Sequence, residues 1–477
     1  MKFAATAVAA AIMLAAPLSV WEAMAQDPAL DEDTIEQAER LMDAGLDSTI
    51  GYEIVESLTT EIGARLAGSE AEARARDWAV AKMTALGLAN VRIEPFDVPY
   101  WERGIEEAAI VSPYPQTLEL TALGGSVATP VEGVTGEIVR FETLADLQDA
   151  PMTGFEGKIV FVDEYMTRTQ DGSGYGVAVA KRSGAAVEAG KRGAVAALIR
   201  SVGTDSHRFP HTGQMRYGDV DRKVPIAALS APDADQLQRA LTRGEPVTVR
   251  VRLDTVSPGT RPSGNVIGEI PGRTDEIVVI GGHLDSWDLG TGAVDDGAGI
   301  GITMGAAKII LESGLTPERT IRIVAFGAEE IGLYGGIYYA EKYAADLDKH
   351  IVGAESDFGA GQIYQFQTRF GETKLDRAKE FQRVLAPLGI GPGNNEATGG
   401  PDMIGLRGAG VPVVTLKQNG WDYFDLHHTH DDTLDKIDPD NIAQNVAAYA
   451  GFVWMAANMD GDFRDPVTLP VTGEASQ

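Results

Sequence analysis

The chain has 477 residues with 70 acidic and 40 basic side chains, and its formal charge of −30 excludes nucleic-acid binding through bulk positive charge. It contains no cysteine, so disulfides, thiolate metal sites and a cysteine nucleophile are excluded together, and any catalysis must use oxygen or imidazole chemistry. With 44% apolar and 23% charged residues over this length, it reads as a folded protein of two or three domains.

In chain order, Lys2 precedes an apolar run from Phe3 to Leu18 and the small-x-small triplet Ala23-Met24-Ala25. This is the pattern of an export signal cleaved after Ala25, leaving a periplasmic or secreted mature chain; no later stretch is long and apolar enough to span a bilayer. From Thr34 to Leu88 apolar residues recur at three- and four-residue intervals, predicting helix, and Asn90–Val98 predicts a strand. Short β-like runs follow, at Gly136–Phe141 and Gly157–Asp163, then an Ala/Gly-rich helix near Val177–Gly193 and a strand at Val195–Arg200. The stretch 124–253 thus reads as a small α/β insert.

Beyond Gly264 the rhythm is strand then helix. Strands are predicted at Ile277–Ile280, Ile321–Phe326, Ile351–Ala354 and Val411–Leu416, with helices at Gly297–Leu311, after Ile331 and near Lys374–Leu388. This alternation predicts an α/β fold, a mainly parallel or mixed sheet with helices on both faces. Asp438-Pro439 caps and starts a last helix running to Met459, and residues 468–477 form a loose polar tail.

Ligands gather beyond the carboxyl ends of strands in such folds, and here each strand end delivers metal-ligand residue types. They are His283, Asp285 and Asp295 after the first strand, Glu329-Glu330 after the second, Asp357 after the third, and His427-His428-Thr-His430 in the loop after the fourth. Four of the seven histidines fall in these segments. Imidazole with carboxylate and no thiolate suits catalytic Zn²⁺. Two ions sharing a bridging carboxylate are satisfied by His283 and Asp357 on one, Glu330 and His428 on the other, and Asp295 between them. Of two adjacent glutamates at a strand-to-helix turn one can ligate while the other faces the water, so Glu329 is the candidate general base. Asp285 reads as an acceptor that orients the His283 imidazole.

These motifs, His283-Leu-Asp-Ser-Trp-Asp, Ala293-Val-Asp-Asp-Gly-Ala-Gly, Ala328-Glu-Glu-Ile-Gly, Glu355-Ser-Asp and His427-His-Thr-His-Asp-Asp-Thr, resemble those of the M28 family of co-catalytic zinc exopeptidases. The likeness extends from Gly63-Ala-Arg65 through Arg200-Ser-Val and Pro-His211-Thr-Gly to the terminal helix. It implies a zinc peptidase domain formed by residues 26–123 and 254–467, with residues 124–253 as a protease-associated insert. It implies two Zn²⁺ per chain on His283, Asp295, Glu330, Asp357 and His428, with Glu329 as base. The choice of His428 rests on the family pattern His-Thr/Ser-x-x-Asp-Thr. His427 then stands where some relatives place an oxyanion-supporting Tyr, and Asp402 where relatives have an acidic residue near the site.

The implied activity is removal of one residue from short peptides, as a dipeptidase or carboxypeptidase; an aminopeptidase is the alternative within the family. A receptor-like relative with a decayed site is the alternative of another class, although all five ligands and the base are present. A homodimer is implied only by the resemblance.

Overall fold

The computed structural model describes residues 29–466; the expected signal segment and the tail lie outside the described residues. Its strands are β1 Ala89–Ser112, β2 Gln116–Leu118, β3 Leu120–Ala122, β4 Val134–Phe141, β5 Ile159–Val162, β6 Ala196–Arg200, β7 Ile226–Leu229, β8 Thr248–Ile270, β9 Ile277–His283, β10 Thr320–Phe326, β11 His350–Glu355, β12 Ile363–Arg369, β13 Gly391–Pro392 and β14 Val413–Gln418. They join in one open mixed sheet ordered β13-β12-β14-β11-β9-β10-β8-β4-β5-β6-β7-β3, with β1 on β8 and β2 on β1.

The centre of the sheet is parallel, because β9 pairs in parallel with both β10 and β11, and β11 with β14. Strand β9 is buried throughout, as its unbroken apolar run requires when helices cover both faces. One cover is the helix Ala298–Glu312, whose Gly301 lies against the backbone of Gly51 in the helix Ile50–Glu61. The other major apolar element is the terminal helix Pro439–Asn458. Asp438 accepts from the backbone N–H of Asp440 and Asn441 and Pro439 occupies the first turn, as the sequence predicts.

Two parts depart from the sequence reading. The strand expected at Asn90–Val98 continues to Ser112, in a long antiparallel ribbon with β8, which itself pairs with β10 on one side and β4 on the other. Much of that ribbon is exposed on both faces, so it carries little period-two signal. Strand β12, antiparallel to β14, was not foreseen for a related reason: in Ile-Tyr-Gln-Phe-Gln-Thr-Arg polar residues interrupt the apolar ones, next to the two-residue edge strand β13. The parallel strands β4 to β7 form the insert sheet, and its edge strand β3 comes from ahead of residue 124. Among the described residues no helix is long and apolar enough to cross a membrane.

Candidate metal centre

Neighbouring strands are about 4.8 Å apart, so the carboxyl ends of β10, β9, β11 and β14 empty into one crevice. His283 is the last residue of β9, Glu329 and Glu330 follow β10, Asp357 follows β11, and His427 and His428 lie in the loop after β14. Asp295 comes from the turn that enters the helix Ala298–Glu312. Close approach here requires glycine: a Cβ on Gly282 would sit 2.5 Å from Asp296 Oδ2, and one on Gly299 would sit 1.9 Å from the carbonyl of Ser356. Ala328, just before Glu329, and His428 itself hold the left-handed backbone conformation at φ 58° and 63°. Such non-glycine strain costs about 1–2 kcal/mol and gathers at functional sites.

The two oxygens of Asp295 diverge. Oδ1 is 3.1 Å from His283 Nε2, and Oδ2 is 3.2 Å from His428 Nε2. On the outer sides, Asp357 Oδ1 is 3.6 Å from His283 Nε2 and Glu330 Oε2 is 2.9 Å from His428 Nε2. Each imidazole is anchored through its other nitrogen, His283 Nδ1 to the carbonyl of Asp285 at 2.9 Å and His428 Nδ1 to the carbonyl of Thr212 at 3.3 Å. A carbonyl only accepts, so His283 gives its Nδ1 hydrogen to Asp285, and both Nε2 atoms face carboxylate oxygens. Carboxylates gathered around two buried imidazoles are the donor set of a shared metal cation.

The remaining electrostatics agree. Burial, reinforced by neighbouring acids, pushes Asp296, Glu329, Glu330 and Glu355 well above the usual carboxylate range, and raises Asp357. Burial opposes protonation of His283, yet the carboxyl groups of Asp285, Asp295 and Asp357 together hold its pKa well above the ordinary value. Burial, helped by Arg182, lowers that of His428. Asp295 Oδ2 and Glu330 Oε1 are buried without a hydrogen-bond partner. Orphaned carboxylate oxygens beside imidazole nitrogens fit a divalent metal cation. Asp296 is also close, but its carboxylate already accepts from the backbone N–H of His283 and Gly299.

The other expected residues are all at the site, with changed detail. Asp285 orients His283 through its backbone carbonyl; its carboxylate stands 3.7 Å from the ring and instead accepts from the N–H groups of Glu329, at 3.0 Å, and Glu330, at 3.3 Å. The strand-end crowding that brings β9 beside β10 puts that turn nearer than the imidazole. His427 stacks on His428 with ring centroids 3.5 Å apart, and its Nε2 is 3.7 Å from Asp295 Oδ2. Asp402 accepts from the N–H of Gly336 and, through its own N–H, donates to Glu355; burial pushes its pKa to about 7.

Sequence reasoning missed several supports. The carboxylate of Asp432 accepts from the N–H of Val294 at 2.6 Å and of Asp295 at 3.3 Å, fixing the bridging residue; it is the Asp of the His-Thr-x-x-Asp-Thr pattern, so the signal was available. Arg65, fully buried, donates to the carbonyls of Leu284, Thr291 and Gly292 and staples the loop between His283 and Asp295. From the insert, His211 donates to the carbonyl of His427, its other nitrogen paired with Asp205, and Arg182 reaches the far side of His428. No local pattern announces these insert contacts, because the partners are more than 200 residues apart.

Over the centre lies a cleft of about 460 Å³, with Tyr175, Phe358, Tyr423 and Phe424 among its walls. A sheet with convergent acids and imidazoles beneath an aromatic cleft defines the class, and the comparisons agree: residues 265–453 match the model of peptidase family M28. The chain belongs to peptidase family M28. Within it, the chain is similar to carboxypeptidase Q of Rattus norvegicus, at 34% identity over 86% of this chain and 85% of that one. A peptidase M28 precursor from Shewanella amazonensis superposes with a TM-score of 0.90, at 50% identity, over 91% of this chain and 99% of that one. A zinc aminopeptidase from Bacillus subtilis shares the fold, with a TM-score of 0.64 at 21% identity over 86% and 95% of the two chains.

Proposed function

We propose that this protein is a di-zinc exopeptidase that hydrolyses short peptides, acting as a dipeptidase or carboxypeptidase. The observation that carries the reading is the bridging posture of Asp295, with one oxygen toward His283 and the other toward His428. His283 and Asp357 would hold one ion, His428 and Glu330 the other, and Asp295 both. When bound, the two ions supply Lewis acidity that polarises a scissile carbonyl and lowers the pKa of an attacking water. The chain's own residues do the rest. Glu329 takes the proton of the water and returns it to the leaving amine nitrogen. Asp285 holds the Glu329-Glu330 turn through two backbone N–H groups, keeping base and ligand side by side. His427, buried beside Asp295 with its Nδ1 unpartnered, is the candidate to support the oxyanion. The similarity to carboxypeptidase Q supports the peptide substrate class, and the same resemblance underlies the reading of residues 124–253 as a protease-associated domain. The Lys2–Leu18 run and the Ala23-Met24-Ala25 triplet support export; amino-terminal sequencing of exported protein should begin at Gln26.

The test is Glu329→Gln. Removing a proton acceptor without removing a ligand should lower peptide turnover by roughly 10²–10⁴ while zinc per chain stays at the unsubstituted level. Near-normal turnover, or loss of zinc, overturns the assignment of Glu329 and Glu330.

A further inference from the structure

The metal centre does not itself say which peptide end is recognised, but the charges around the cleft bear on it. Four acids line it, Asp295, Glu329, Glu330 and Asp357, and the proposed function already assigns each to metal or proton transfer. No further carboxylate among the described lining residues is left to receive a substrate ammonium group. Two guanidinium groups also line it, Arg182 and Arg216, both carried by the insert. In a chain of net charge −30, neither has a carboxylate partner among the described residues.

Arg182 is only 3% exposed. Its Nη1 donates to the Tyr175 hydroxyl at 2.8 Å and its Nε has no partner. Its Nη2 is 3.4 Å from His428 Nδ1, a nitrogen it shares with the Thr212 carbonyl at 3.3 Å. A buried cation with unused donors is costly unless an anion joins it. Arg216 is exposed at the rim, where its Nη2 donates to the carbonyl of Ile331, next to the Glu329-Glu330 turn. Both arginines line the same cleft as Asp295, Glu329, Glu330 and Asp357.

We propose that Arg182 and Arg216 bind the free α-carboxylate of the substrate's last residue, so that the insert supplies terminal recognition and the enzyme releases carboxy-terminal residues from dipeptides and short peptides. This rests on the peptidase reading above. A forked guanidinium pairs with a planar carboxylate in two parallel hydrogen bonds, which suits this ligand. The aromatic walls suit an apolar side chain on the departing residue.

The experiment compares kcat/KM of the zinc-loaded full chain on alanyl-phenylalanine, its carboxamide and its N-acetyl derivative. The free acid should exceed the amide by about 10–100-fold, the scale of a lost charge-assisted hydrogen bond. The N-acetyl derivative should remain a substrate. In Arg216→Gln, where an exposed side chain leaves folding undisturbed, and in Arg182→Gln, the acid-to-amide ratio should fall to within about threefold of one, mainly through KM. Equal cleavage of acid and amide by the unsubstituted enzyme overturns this proposal and leaves the peptidase reading standing. So does an equal loss on both substrates in Arg216→Gln, and so does rejection of the N-acetyl derivative with tolerance of the amide. Failure to cleave any of the three overturns both readings.

Discussion

Replacing Asp285 by Asn isolates the device that aims the base and its neighbouring ligand. The carboxylate is fully buried, and its two oxygens accept separately from the N–H of Glu329 and of Glu330. An amide offers one oxygen, so one N–H keeps a neutral acceptor and the other faces an NH₂ group. A hydrogen bond to a charged group contributes about 1.5–3 kcal/mol; losing one and weakening the other amounts to about 2–4 kcal/mol. Because those bonds fix a turn bearing both Glu329 and Glu330, the loss should divide between two readouts. Zinc affinity should fall about 10–100-fold, the range for removing a partner that orients a metal ligand, and turnover at saturating zinc should stay depressed by about tenfold or more. The assay is zinc per chain across graded free zinc, with turnover measured at each point. The signature is partial rescue by excess zinc, in contrast to Glu329→Gln, which keeps its zinc and is not rescued. Wild-type zinc affinity with turnover within about threefold of normal in Asp285→Asn would refute the reasoning.

The three loop histidines should be inequivalent. His428→Ala should lose zinc, while His430→Ala, an exposed ring packed near Phe209, should keep it; His427→Ala should chiefly slow turnover, by about 10²–10³ if one oxyanion donor is lost. Full zinc in His428→Ala with loss in His430→Ala would displace the ligand by two residues. A separate prediction concerns stability. Lys181 is fully buried and donates to the carbonyl of Glu164, and burial pushes its pKa from 10.5 down to about 7. Between those values the unfolded chain binds the proton and the native chain does not, so this residue makes stability rise with pH, by at most about 1.4 kcal/mol per unit. Lys181→Met should flatten that slope when denaturant midpoints at about pH 7 and about pH 9 are compared; an unaltered slope would show that the amine stays charged in the fold.

How much of this was legible in the chain follows from the range over which each interaction acts. Strand ends, helix starts and the residues placed on them are local, and β9 to β11 are almost wholly buried, with mainly apolar sequences, while β14 keeps the apolar Val413, Val414 and Leu416. The acids and imidazoles were therefore attributable to one sheet edge from spacing alone, and the family resemblance supplied the choice of His428. The β1–β8 ribbon was opaque because exposure on both faces erases its alternation. The contacts of Asp285 were not legible, because only the packing of β9 against β10 decides whether its carboxylate meets an imidazole or a backbone turn. Arg182, His211 and Thr212 act on a loop more than 200 residues away, and sequence offers no period that links them. The sequence by itself determined the chemistry available at the strand ends. Tertiary structure decided which nitrogen of each imidazole faces the carboxylates and which cations overlook the cleft, because both depend on hydrogen bonds between segments that meet only in the folded chain.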